Sequence, residues 1–195
     1  MKYISILFFI FLWGCEQQAS REGDILFESG DFEGAVKAYT EYLTLYPTDV
    51  KSLYNRGRAY EEMELYELSL KDFQSVLAED EENLQANLSA GSYFYRKQDL
   101  ANAQYHFDLA VQFHENSAQA QFLLARVQHK RGKKDEALSG YNKAIALDAE
   151  LGEAYLYRGV LRTSMKQRRR ACEDYRQAQA LQVAEAEIQL KNFCN

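Results

Sequence analysis

The chain has 195 residues, 47% of them hydrophobic, and a net charge of -6. That is enough apolar material for one ordinary domain or a short solenoid with a real core, and the negative balance argues against a general nucleic-acid binder, which needs a basic face that dominates the field. One proline and ten glycines among abundant Ala, Leu, Glu, Gln and Lys predict helix almost throughout, so the expected fold class is all-α.

The first element is not part of that fold. Lys2 supplies a positive start, and Ile4 to Trp13 form an apolar stretch too short for a membrane span, which needs about 20 residues. Residues 1–14 therefore read as an export signal. Leu12, Trp13, Gly14 and Cys15 resemble a bacterial lipobox, in which a small residue precedes a cysteine that is lipidated and becomes the mature N-terminus. Trp13 departs from that pattern, where a small residue is usual. The polar run EQQASREG follows as a tether over 15–22, overlapping the first structured segment. The bland alternative is an ordinary cleaved signal with an incidental cysteine, but no small-x-small cleavage site stands near Gly14.

Behind the tether the sequence repeats itself. Gly23, Gly57, Gly91 and Gly159 share one register, with Ala125 in the fourth place. Twelve residues after each stand Ala35, Ser69, Ala103, Ala137 and Ala171, and four further on the rings Tyr39, Phe73, Phe107, Tyr141 and Tyr175. Three more residues lead to Tyr42, Val76, Ala110, Ala144 and Ala178. The step is the 34 residues of a helix-turn-helix repeat. A glycine inside a helix costs about 1 kcal/mol relative to alanine, so a column of them needs a packing reason.

These columns resemble the tetratricopeptide repeat. The resemblance implies five abutting units over 16–49, 50–83, 84–117, 118–151 and 152–185, coiled into a right-handed superhelical solenoid. Small residues let two antiparallel helices approach, and the ring fills the wedge between neighbouring units. The first helices (A) are expected over 16–29, 50–63, 84–97, 118–131 and 152–165, and the second (B) over 32–45, 66–77, 100–113, 135–147 and 168–181. Pro47 stops the first B helix, while the second repeat lacks the turn glycine and carries Glu64.

Past the fifth unit Ala186, Leu190 and Cys194 recur every four residues, on one face of a final helix over 184–195 that covers the open end. This segment resembles the closing block of many tetratricopeptide lipoproteins of Bacteroidota, with an Ala-Cys pair, an aromatic and a terminal cysteine; Gln182 stands where that block usually has glycine. On export, Cys172 and Cys194 meet an oxidising compartment, and a disulfide between them is the simplest pairing; two small thiols packed side by side are the alternative.

No catalytic constellation is visible, and the protein is not expected to be an enzyme. His106, His114 and His129 fit no metal-ligand spacing, and the sequence has no Gly-rich phosphate loop, no GxSxG elbow and no CxxC. No cofactor, metal or small-molecule substrate is indicated. In the resembled family the A helices line a concave surface that takes extended peptides or partner helices. Helical spacing places Tyr54, Arg58, Tyr95, Arg96, Phe122, Arg126, His129 and Lys130 there, an aromatic and cationic set suited to an acidic or C-terminal peptide. The bland reading packs Tyr54 and Phe122 against neighbouring units and leaves the arginines solvated. The carboxylate clamp by which co-chaperones of this family grip heat-shock chaperone tails finds only Asn55 in agreement. Lys166 to Arg170, KQRRR, is a basic turn that suits anionic head groups or an acidic patch, or simply solubility.

The expectation is thus a lipid-anchored module of the bacterial cell envelope, outer membrane favoured, that holds a peptide or protein segment in its groove. The alternative is a structural or oligomerising element acting through its convex face or stack ends.

Overall fold

The computed structural model describes residues 20–194. Cys15 and the apolar run before it lie outside the described residues. Among those described there are eleven helices and no strand: α1 (20–28), α2 (Phe32–Leu45), α3 (Val50–Glu62), α4 (Tyr66–Glu79), α5 (Leu84–Arg96), α6 (Leu100–Phe113), α7 (Ala118–Lys130), α8 (Lys134–Leu147), α9 (Gly152–Ser164), α10 (Arg168–Ala180) and α11 (Ala184–Phe193). The fold is all-α, built from successive helical hairpins. From the end of α1 onward, helix ends fall within two residues of the expected ones, the largest differences being α4, which continues past residue 77 to Glu79, and α11, which stops at Phe193; the expected start of the first helix at 16 lies outside the described residues. Contacts group the chain into two compact units, one ending at Ala90 and one beginning at Gly91.

The helices start and stop for local reasons. Asp31, Asp49, Asp99 and Ser117 each accept the backbone N–H three residues on, satisfying a donor that the first helical turn leaves unpaired. Every A helix ends in one recurrent turn, in which an N–H bonds back to a carbonyl five residues earlier: Asp31 to Leu26, Leu65 to Tyr60, Asp99 to Phe94, Lys133 to Gln128 and Gln167 to Arg162. That turn requires a left-handed residue, supplied by Gly30, Glu64, Gln98, Gly132 and Lys166. Val183 bonds back to Ala178 in the same way at the end of α10, with Gln182 left-handed.

In the unit ending at Ala90, Tyr39 and Phe73 are fully buried, each lying against a glycine. A Cβ on Gly23 would come within 2.5 Å of the Tyr39 ring and one on Gly57 within 2.7 Å of Phe73, so the glycine column exists to admit the ring column. Leu43, Leu53, Val76 and Ala86 complete the core around Phe73. Arg56, from α3, donates Nε and Nη2 to both oxygens of Asp72 on α4 at 2.7 Å, and its Nη1 reaches Thr40 on α2. One side chain thereby ties three successive helices.

In the unit beginning at Gly91 the same plan recurs. A Cβ on Gly91 or Gly159 would strike Phe107 or Tyr175 at 2.5 and 2.6 Å. Arg158 repeats Arg56, donating to Asp174 and to Asn142. The fourth hairpin breaks the column and shows why it can. Ala125 occupies the glycine place, and a Cβ on Gly140 of α8 would lie 2.8 Å from the Ala125 Cβ. The missing methyl has moved from the first helix to the second. A coupling between these two positions is therefore expected. Gly140→Ala gains about 1 kcal/mol of helix propensity but brings an overlap of about 1–3 kcal/mol, and only the overlap vanishes when Ala125→Gly is added. A double-mutant cycle on urea midpoints reads it directly; additive effects would refute the exchange.

The end of this unit is covered by α11. Ala186 is fully buried, and Leu190 and Cys194 pack with it against Leu156, Ala171, Tyr175 and Ala178. Cys172 and Cys194 are joined by a disulfide with Cα atoms 5.7 Å apart.

Candidate functional site

The eight side chains assigned to the groove do not share one fate. In the unit ending at Ala90, Tyr54 packs on Phe73 with ring centroids 5.6 Å apart and belongs to the core. Arg58 lies 4.0 Å from both Glu61 and Glu62, acids of its own helix, and over the Phe27 ring. Neither is poised to receive a ligand. Asn55, the one residue in the clamp register, donates to Asp24, which also accepts from Tyr39 and Lys51. Those bonds hold the Asp24 carboxyl below its ordinary range against the opposing effect of burial. Asn55 is spent on that network.

The unit beginning at Gly91 is different. A cavity of about 380 Å³ is lined by Ser92, Tyr95, Arg96 and Gln98 from the third hairpin's first helix and turn, by Phe107, and by Leu123 and Arg126 of α7. Arg126 is its centre. The guanidinium carbon lies 5.0 Å from the Tyr95 centroid, 5.6 Å from Phe122 and 4.6 Å from Tyr157 of α9, and Nε is buried without a hydrogen-bond partner among the described residues. Lys130, one turn on and exposed, sets its ammonium 4.9 Å from the same Tyr95 ring. No acid lines the cavity. Ring faces carry negative potential, so they hold these cations without neutralising them.

Two assigned residues support the site from behind. Phe122 is fully buried against Tyr141 and Tyr157, so its ring is the floor under Arg126 and not a contact surface. His129 places Nδ1 3.3 Å from the Tyr141 hydroxyl, and burial, with Lys134 nearby, holds the imidazole below its ordinary value. That disfavours a further positive charge beside Arg126 and Lys130. Burial also pushes the Tyr141 phenol well above its ordinary range.

Tyr157 was not among the assigned residues. It stands 34 residues after Leu123, which lines the cavity but is likewise outside the assigned set, so only a register that starts from Leu123 finds it; Phe122 and Arg126 carry over to Leu156 and Val160. Among the described residues no group of His, Cys, Asp and Glu is arranged to hold a metal, and no helix is long and apolar enough to cross a membrane.

Comparison with known proteins agrees with the hairpin geometry. Three family models match consecutive stretches, a TPR repeat at residues 23–64 and tetratricopeptide repeats at 54–118 and 118–151. Hsp70-Hsp90 organizing protein 3 of Arabidopsis thaliana is 27% identical over 151 residues, 76% of this chain and 25% of its own length. The chain spans a quarter or less of the length of the curated relatives it matches. Among solved structures, that of MamA covers 88% of this chain and 94% of its own at 23% identity and a TM-score of 0.75. YrrB, described as a TPR protein with an unusual peptide-binding site, covers 87% and 88% at 23% identity and a TM-score of 0.71. At such identities the likeness speaks for the fold. With its matched segments running from 23 to 151 and its glycine-to-ring hairpins continuing past them, the chain belongs to the tetratricopeptide-repeat family.

Proposed function

We propose that the protein is a lipid-anchored scaffold of the bacterial cell envelope, with the outer membrane favoured, whose first-helix face holds a segment of a partner protein. The observation that carries this is the cavity around Arg126, where a guanidinium already fixed by three rings faces open space with no acid of its own. Aromatic residues and arginine are those most enriched among interface hot spots, because they bury large area and bond directionally at modest entropic cost. Structural neighbours include a peptide-binding repeat protein, in keeping with such a role. The anchor rests on the Leu12 to Cys15 sequence, and the Cys172–Cys194 disulfide suits an oxidising compartment.

The test is in-envelope cross-linking of the full chain followed by fractionation. Wild type should sediment with membranes, carry an acylated Cys15 and yield a cross-linked partner. Cys15→Ala should lose the acyl group and the membrane fraction. Arg126→Glu should stay on the membrane and lose the partner, whereas Arg58→Glu, whose cation is already spent on Glu61 and Glu62, should keep it. An unmodified mature N-terminus sinks the anchor, and a cross-linked partner indifferent to Arg126→Glu sinks the groove.

A further inference from the structure

We infer that the cavity beside Tyr95 is a two-cation seat for an acidic, extended peptide segment, whose alternate side-chain carboxylates lie on Arg126 and Lys130 while an adjoining apolar side chain enters against Leu123. This rests on the reading of the first-helix face as a peptide-holding surface.

Among the described residues, two cations of α7 are left without an acid. Three cations elsewhere on this acidic chain show the ordinary arrangement, with an acid one turn away: Arg58 has Glu61 and Glu62, Lys133 has Glu136, and Lys191 has Glu187. Arg126 is followed at the same spacings by His129 and Lys130. Like charges four apart on a helix repel, yet both cations are drawn to one ring, at 5.0 and 4.9 Å, with no carboxylate bonded to either among the described residues. A bound acid would relieve that repulsion, which is the charge complementarity of a ligand site.

Geometry narrows the ligand. Only Nε of the Arg126 guanidinium is enclosed without a partner, so a ligand meets the Nη end, whose planar pair of donors matches a carboxylate. Side chains four apart on a helix stand about 5–6 Å apart at Cβ. In an extended strand, alternate side chains share a face and are separated by roughly 6.6 Å. Acids at alternate positions of an extended segment therefore reach Arg126 and Lys130 together, which a single terminal carboxylate does not. The cavity's Leu123 and Phe107 wall gives the segment an apolar contact that a free anion or a lipid head group leaves unused.

The test uses the mature protein with its disulfide intact and fluorescence anisotropy of dye-labelled, C-terminally amidated peptides of about eight residues. One peptide carries Glu at two alternate positions beside Leu and Phe, a second has both Glu replaced by Gln, and a third carries one phosphoserine instead. The Glu peptide should bind at least tenfold tighter than the Gln peptide, with affinity falling as salt rises. Arg126→Gln should cost tenfold or more. Lys130→Gln, an exposed change that leaves the fold out of question, should cost about threefold. Equal binding of the Glu and Gln peptides, or indifference to both substitutions, overturns the acidic seat while leaving peptide holding intact. Tighter binding of the phosphoserine peptide overturns the carboxylate assignment. Failure of every peptide to bind overturns the underlying reading as well.

Discussion

Asp174→Ala should destabilise the unit beginning at Gly91 by about 3–5 kcal/mol, the cost of stripping the partner from buried charge. Asp174 is 3% exposed and accepts from two guanidinium groups, Arg158 at 2.7 Å and Arg162 at 2.8 Å, which are themselves only 14% and 16% exposed. Burial already holds Arg162 below its ordinary value, with Asp174 opposing that and Arg158 adding to it. Without the carboxylate, two cations face each other in a site that water barely reaches. At a slope of about 2 kcal/mol per molar in urea, the unfolding midpoint should fall by roughly 2 M. Glu173→Ala next door removes only an exposed pair with Arg169 and should cost about 0–1 kcal/mol. Replacing Arg158, Arg162 and Asp174 together by apolar residues of similar size should restore most of the loss, since the pairing mainly offsets its own desolvation. Equal effects of Asp174→Ala and Glu173→Ala would show that the network carries no special weight.

The hairpins were legible because their packing rule is written in residue size. Where a glycine faces a ring across two helices, the two columns keep one spacing, and the ring column is buried in all five repeats. The turns were legible less by residue type than by register: Glu64, Gln98 and Lys166 adopt left-handed backbone at the places where the first and fourth repeats have glycine. Composition alone does not reveal this, because the bonds of the turn compensate a strained φ. The exchange between Ala125 and Gly140 could be read only by comparing both helices of one hairpin, since each position alone looks like an ordinary departure. The same holds for Arg56 with Asp72 and Arg158 with Asp174, which are three repeats apart.

The site was half legible. Helical spacing alone separates Arg58, with acids three and four residues on, from Arg126, with a histidine and a lysine there. What spacing does not give is depth. Phe122 and Leu123 are neighbours on α7, yet the first is floor and the second wall, because α7 packs Phe122 against Tyr141 and Tyr157.

Replacing Cys172 and Cys194 by alanine should cost about 3 kcal/mol, from the loop of 22 residues that the disulfide closes in the unfolded chain. The loss should appear first at one place. Helix α11 has ten residues, too few to persist alone, and only Ala186 of it is fully buried. Its other ties among the described residues include the packing of Leu190 and a bond from Arg168 Nε to the Phe193 carbonyl at 2.6 Å. Amide exchange in Ala184–Phe193 should therefore quicken well before exchange in α9 and α10. Identical exchange in oxidised protein and the double variant would remove the structural role. Once α11 frays, Leu156, Ala171, Tyr175 and Ala178 lose cover of the kind that Ala154 and Leu161 of α9 give Phe122, Tyr141 and Ala144 one hairpin earlier in the same unit. A short terminal helix has too little area to substitute for a hairpin by burial alone, and the covalent tie supplies the difference by holding it against that face.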